Sequence, residues 1–165
     1  MWSLKHTTLL VLSIAILTAS TLFSCRKDVG VNPLLAYSDK ALLDSAKNEA
    51  AFTYYNNSPS TVYSGTNGPH GAFKLKFNKI AYAALTDNGK LPVGGQFPNG
   101  SFIVKEVTSN GIYALMYKKE GYWLWSEMHS DGSIIHSVNK DASTACISCH
   151  SQPGQRDLVV SFNFY

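Results

Sequence analysis

The sequence has no run of lysines and arginines, no internal repeat and no low-complexity block. With a formal net charge of only +3, the first of these absences leaves no clustered positive charge for a nucleic-acid groove or a polybasic membrane patch. The expected partners therefore do not include nucleic acid. The longest apolar run, residues 9–23, is too short for a comfortable bilayer-spanning helix. Cysteine is scarce, with three in 165 residues, so no disulfide framework is expected to staple the fold.

What is present is enough apolar material for an ordinary core, at 45% hydrophobic and 12% aromatic residues, in one globular domain. The run 9–23 follows a short segment containing Lys5 and ends in Leu22-Phe23-Ser24-Cys25, which reads as a signal peptide (1–24) with a lipobox. An ordinary signal-peptidase site or a retained signal anchor are the competing readings. The apolar residue at −3, the small residue at −1 and the cysteine favour lipid on Cys25. Acyl chains contribute about 0.8 kcal/mol per buried CH₂, so lipidation would tether an exported protein firmly to a membrane, facing periplasm or cell exterior. Residues 25–36 then form a tether and 37–165 the folded domain.

Near the other end stands Cys146-Ile147-Ser148-Cys149-His150, the Cys-x-x-Cys-His attachment sequence of a c-type haem. On a helix, both sulfurs and the imidazole project from one face, so two thioethers can pin a porphyrin while His150 ligates its iron. Three other readings compete. A thioredoxin-like dithiol belongs at a helix start near the front of a βαβ unit, whereas this motif lies about fifteen residues from the C-terminus. A structural zinc site needs two more ligands, and His129 and His136, at i, i+7, match neither usual spacing. A plain disulfide leaves the adjacent histidine unexplained. The cysteines then divide cleanly, Cys25 to lipid and the other two to one covalent haem c. The remaining partners are a small-molecule ligand and a redox protein.

The intervening pattern predicts an α+β fold, mainly an antiparallel β-sheet with an N-terminal helix and a C-terminal haem-binding helix before the last strand. Residues 39–55 carry helical periodicity, with Ser38 or Asp39 as cap. Residues 56–71 and 91–100 read as loops, and 79–86 as a short helix ended by Asp87-Asn88-Gly89. Along 72–78, Phe73, Leu75 and Phe77 alternate with Lys74 and Lys76, as in a strand with one solvated face. Residues 101–108 are apolar on both faces, so a strand covered on both sides is expected. Residues 111–117 and 122–128 flank Lys118-Lys119-Glu120-Gly121 as a hairpin, and 133–138 follow the Ser130-Asp131-Gly132 turn. Residues 141–150 should form the motif helix, capped by Asp141, and 158–165 a final strand returning to the sheet.

A late haem motif behind strands differs from the helical small cytochromes. The run Phe97-Pro98-Asn99-Gly100-Ser101-Phe102-Ile103-Val104-Lys105-Glu106, then Gly111, Met116-Tyr117-Lys118, Trp123-Leu124-Trp125, Asp131-Gly132, the Cys146–His150 motif and Asp157, resembles the cytochrome P-460 family from about His70-Gly71 to the end. The resemblance implies a mainly antiparallel fold, usually a homodimer, with one c-type haem, and oxidation of hydroxylamine at an open iron. It further implies that Lys105, in the Val-Lys-Glu strand, bonds to the porphyrin edge. Strand parity independently sets Lys105 beside Ile103 and Val107, where a free ammonium is costly; the plainer alternatives are snorkelling or pairing with a carboxylate or propionate. Glu106 falls on the opposite face.

The related β-type cytochromes c-prime are similar in outline, lack the crosslink, and bind nitric oxide or carbon monoxide behind a phenylalanine. Phe73, Phe77 and Phe102 are the candidates for such a cap. Met116 and Met128 are candidate sixth ligands, and either would make an electron-transfer cytochrome instead. His70 is a loop candidate for the distal side. His129 and His136 read as surface residues, and Trp123 and Trp125 as core or haem edge.

Overall fold

Alternating apolar residues along consecutive short segments build a meander. The computed structural model describes residues 38–66, 68–138 and 146–165, so the signal, tether, Cys25 and the Asp141 cap lie outside the described residues. Strands β1 (Phe52–Tyr54), β2 (Phe73–Asn78), β3 (Phe102–Val107), β4 (Ile112–Lys119), β5 (Tyr122–His129) and β6 (Ile134–His136) pair antiparallel in sequence order as one sheet. Helices are short: α1 (Asp39–Ala46), α2 (Lys79–Ala83) and α3 (Ser148–His150). The β4–β5 turn, Glu120-Gly121, has φ of 51° and 84°, the left-handed pair that a two-residue hairpin requires.

The two faces of the sheet carry separate cores. On one, Leu42, Leu43 and Ala46 of α1 pack against Phe102, Val104, Leu115, Leu124 and Met128. Ser38 caps α1 by accepting from the Ala41 amide at 3.3 Å. In its first turn, Asp39 accepts hydrogen bonds from Ser126 Oγ at 2.7 Å, Ser137 Oγ at 2.6 Å and the Val138 amide at 2.7 Å, pinning the helix to β5 and to the chain beyond β6. On the other face, Phe73, Leu75, Phe77, Ile103, Met116, Trp123 and Trp125 meet Leu158, Val159 and Phe162.

Three expectations are corrected. The helix expected over 39–55 stops at Ala46; Glu49–Ala51 is a 3-10 turn and Phe52–Tyr54 is an edge strand, with Phe52 opposite Asn78 and Tyr54 opposite Lys76. Two aromatics flanking a threonine favour the pleated surface once β2 offers a partner. The second face of β2 is not solvated, because Lys76 is fully buried: its ammonium binds Glu49 at 2.6 Å and also Glu106, and Tyr54 Oη donates to both carboxylates. Pairing with two carboxylates compensates the desolvation of that charge.

The third correction concerns the C-terminus. Residues 158–165 do not return to the sheet; Arg156 and Val159 form an isolated bridge and Ser161–Asn163 a 3-10 turn. Five consecutive residues, 158–162, are buried, which a half-exposed strand does not allow. The segment instead lies over the sheet as a cover. Arg156 Nη1 donates to Asp87 Oδ2 at 2.6 Å, and Lys90 Nζ to the Phe162 carbonyl at 2.6 Å.

Candidate functional site

The strand register sets one row of residues across the sheet: Leu75 opposite Lys105, Lys105 opposite Ala114, Ala114 opposite Glu127, and Glu127 opposite His136. All five line a cavity of about 210 Å³. That is several times the ~30 Å³ share of one water, and its lining mixes apolar side chains with Lys105, Glu127, His136 and His150. The neighbouring row, Ile103, Met116 and Trp125, extends its apolar floor. Cys146, Cys149 and His150 form part of the opposite wall, with Val159 and Tyr165 of the covering segment and His70 of the loop before β2.

The motif is a tight helical turn that reaches into this space. Cys146 and Cys149 are free, half-buried thiols and His150 is buried. His150 Nδ1 lies 2.7 Å from the Leu158 carbonyl. A carbonyl only accepts, so Nδ1 carries the proton and Nε2 keeps the lone pair, the tautomer that a metal-binding histidine with a backbone partner adopts. Burial, followed by the nearby Lys105 charge, pushes the imidazole down to about 4, so it is neutral at neutral pH. The edge of Trp125 packs against the ring, centroids 4.6 Å apart.

Electrostatics differ across the cavity. Burial drives the Lys105 ammonium down to about 8, partly countered by Cys149. About a tenth of such an amine is then unprotonated at pH 7, far more than for an ordinary lysine. Its Nζ sits over the Phe73 ring, 4.6 Å from the centroid. Glu127 is held below the usual carboxylate range by His70, despite burial, with smaller contributions from His136 and His129. At 3.5 Å, the His70 Nδ1 to Glu127 Oε1 contact is an ion-pair separation rather than a hydrogen bond, and His70 Nδ1 has no other hydrogen-bond partner. Burial, then Glu127, pushes the Cys146 thiol up to about 11. A redox dithiol wants the opposite shift.

Lys105, Cys146, Cys149 and His150 thus share one cavity although Lys105 and Cys146 lie 41 positions apart in the sequence. His70, Phe73, Met116 and Trp125 join them. Phe77 stacks on Phe162 in the core, Phe102 and Met128 belong to the other face, and Trp123 donates its Nε1 to the Asp157 carbonyl at 2.9 Å. Glu106 is on the far face, as parity required. His136 is corrected from surface to cavity wall, because β6 pairs beside Glu127 and completes the row. Glu127 was missed by sequence reasoning, although its place two residues after Trp125 fixes it to the same face.

Among the described residues no group of three or more His, Cys, Asp or Glu is gathered as a metal site, so His129 and His136 do not complete a zinc set with the cysteines. The residues present fit a macrocycle instead: two thiols and an imidazole on one wall, a largely apolar floor, and an Nε2 lone pair left for an iron. Among the described residues no helix is long and apolar enough to cross a membrane. No protein-family model, curated protein or solved structure matches the chain.

Proposed function

We propose that the chain is an exported, lipid-anchored monohaem c-type cytochrome of the P-460 type that oxidises hydroxylamine. The observation that supports this reading most is the single cavity shared by Cys146, Cys149, His150, Lys105 and Glu127. Haem c, when bound, supplies one-electron redox chemistry and a coordination position for the substrate nitrogen. Cys146 and Cys149 hold it through two thioethers, and His150 presents Nε2 with its tautomer set by Leu158. Glu127, ionised at neutral pH and lining the same cavity, would serve as the general base toward a substrate held there. Lys105, whose amine lines the same cavity, would stand beside the bound porphyrin, where a neighbouring amine is one of the protein's levers on the electronics of the macrocycle. Electrons pass on to a redox partner protein, and a homodimer is the expected assembly.

A second reading, nitric oxide or carbon monoxide binding, has one observation in its favour. Phe73 lines the cavity with the Lys105 ammonium over its ring, so the lysine has a partner without any bond to a cofactor. The absorption spectrum of the reduced protein separates the two. A Soret band far to the red of ordinary c-type haem, restored to the ordinary position by Lys105→Ala together with loss of hydroxylamine oxidation, is the expected result. An ordinary five-coordinate spectrum with nitric oxide binding and indifference to hydroxylamine overturns it in favour of gas binding. Haem should survive denaturing electrophoresis in the wild type and vanish in Cys146→Ala/Cys149→Ala; stoichiometric zinc without haem rejects both readings.

A further inference from the structure

We propose that Asp157, clamped by Lys118, is the positioning residue for His150, setting the orientation and donor strength of its Nε2; the proposal rests on His150 as the axial ligand of the reading above. Asp157 is tied to three parts of the fold. Lys118 Nζ of β4 grips its carboxylate at 3.0 and 3.1 Å, the Phe97 amide donates to Oδ2 at 2.9 Å, and Trp123 Nε1 of β5 donates to its carbonyl at 2.9 Å. Both charged side chains are nearly buried, 5% and 10% exposed, so the pair is rigid and little screened. Lys118 Nζ also lies 4.9 Å from the centre of the Trp123 ring.

The residue that follows makes the connection. Asp157 and Leu158 both adopt left-handed backbone, φ 50° and 65°, a conformation that costs a bulky residue such as leucine energy and persists only where the surroundings over-determine it. In that conformation the Leu158 carbonyl meets His150 Nδ1 at 2.7 Å. The clamp therefore holds the strained turn, and the turn holds the imidazole. Partners of a ligating histidine's outer nitrogen fix its ring and raise its basicity, and their loss typically costs 10–100-fold in the ligand's hold on its metal. A weaker Nδ1 hydrogen bond makes Nε2 a poorer donor and favours the reduced iron.

The test uses the full-length haem-loaded protein. In Asp157→Asn and Lys118→Met, the iron–histidine stretching frequency of the reduced form should fall. The reduced-to-oxidised ratio at a fixed potential should rise about tenfold, or about 59 mV for one electron. Lys118→Arg, which keeps the two-oxygen grip, should restore wild-type values. If Asp157→Asn does not fold, Trp123→Phe removes the Nε1 bond to the Asp157 carbonyl while keeping an aromatic ring beside Lys118, and should move both readouts in the same direction. Folded variants with unchanged frequency and potential overturn the proposal. The ¹⁵N shifts of His150 in protein made without haem keep it separable from the haem reading: a fixed Nδ1–H tautomer is expected in the wild type and a mixture in Asp157→Asn. A wild type that takes no haem defeats the haem reading alone, whereas a tautomer indifferent to Asp157 defeats the positioning role.

Discussion

Lys105 on β3 and Glu127 on β5 face into the same cavity, held apart by Ala114, the cross-strand neighbour of both. With strands about 4.8 Å apart, their backbones are separated by about 10 Å. The Lys105 ammonium lies over Phe73 and Glu127 faces His70, so the two charges do not pair, and the gap between them is floored by a single methyl group. Ala114→Leu should fill it. Small-to-large changes in a packed site cost about 1–3 kcal/mol, so the variant is expected to fold with a modestly lower melting temperature while affinity for carbon monoxide or nitric oxide falls at least about tenfold. Unchanged gas affinity, measured by spectroscopic titration of the reduced protein, would place the ligand elsewhere.

The charge on Lys105 has a sign that stability can report. Its folded value is about 8 against 10.5 for the free side chain, so the folded protein sheds this proton first and the buried ammonium destabilises the fold below pH 8. In protein made without cofactor, Lys105→Met should therefore raise unfolding free energy at pH 7, by roughly 1–3 kcal/mol. The advantage shrinks as pH rises from 8 to 10.5. Urea unfolding at pH 7, 9 and 10.5 measures it, and a difference that stays constant across that range rules out the buried charge as its cause.

On the far face, Glu106 is the less exposed of the two carboxylates that hold the fully buried Lys76. Glu106→Gln should cost about 3 kcal/mol, the usual penalty for stranding a buried charge. Combined with Lys76→Met, the loss should be smaller than the sum of the two single losses, since the pair acts as a unit. Because the sheet lies between this cluster and the cavity, the absorption spectrum should not change.

At the N-terminus, Cys25→Ser should leave the protein unprocessed or free of the membrane fraction. Mass analysis of the native N-terminal peptide is expected to show a lipidated Cys25. An unmodified N-terminus at another residue excludes the lipobox.

Parity and turn chemistry carried much of the fold. The alternation in β2, the two-sided apolar pattern of β3 and the Glu120-Gly121 turn are local properties, and they set strands, faces and hairpin register before any long-range contact forms. The same parity turns Lys105 and Trp125 toward one side and Glu106 toward the other. Spacing alone brings Cys146, Cys149 and His150 together as a unit.

Which faces are covered, and by what, depended on contacts between distant segments. Residues 52–54 became a strand because β2 offered an edge, and Lys76 became buried because Glu49 and Glu106 closed over it. Leu158–Phe162 became a cover rather than a seventh strand because Asp157, anchored by Lys118 and Trp123, turns the chain across the sheet. Met116 lines the cavity and Met128 lies in the core of the other face, a difference strand parity contained; that a cavity exists on the first face followed only from what packs above it. Local sequence determines the direction in which a side chain leaves the backbone. Whether it meets protein, solvent or an open site is decided by segments whose closure entropy only the assembled tertiary structure repays.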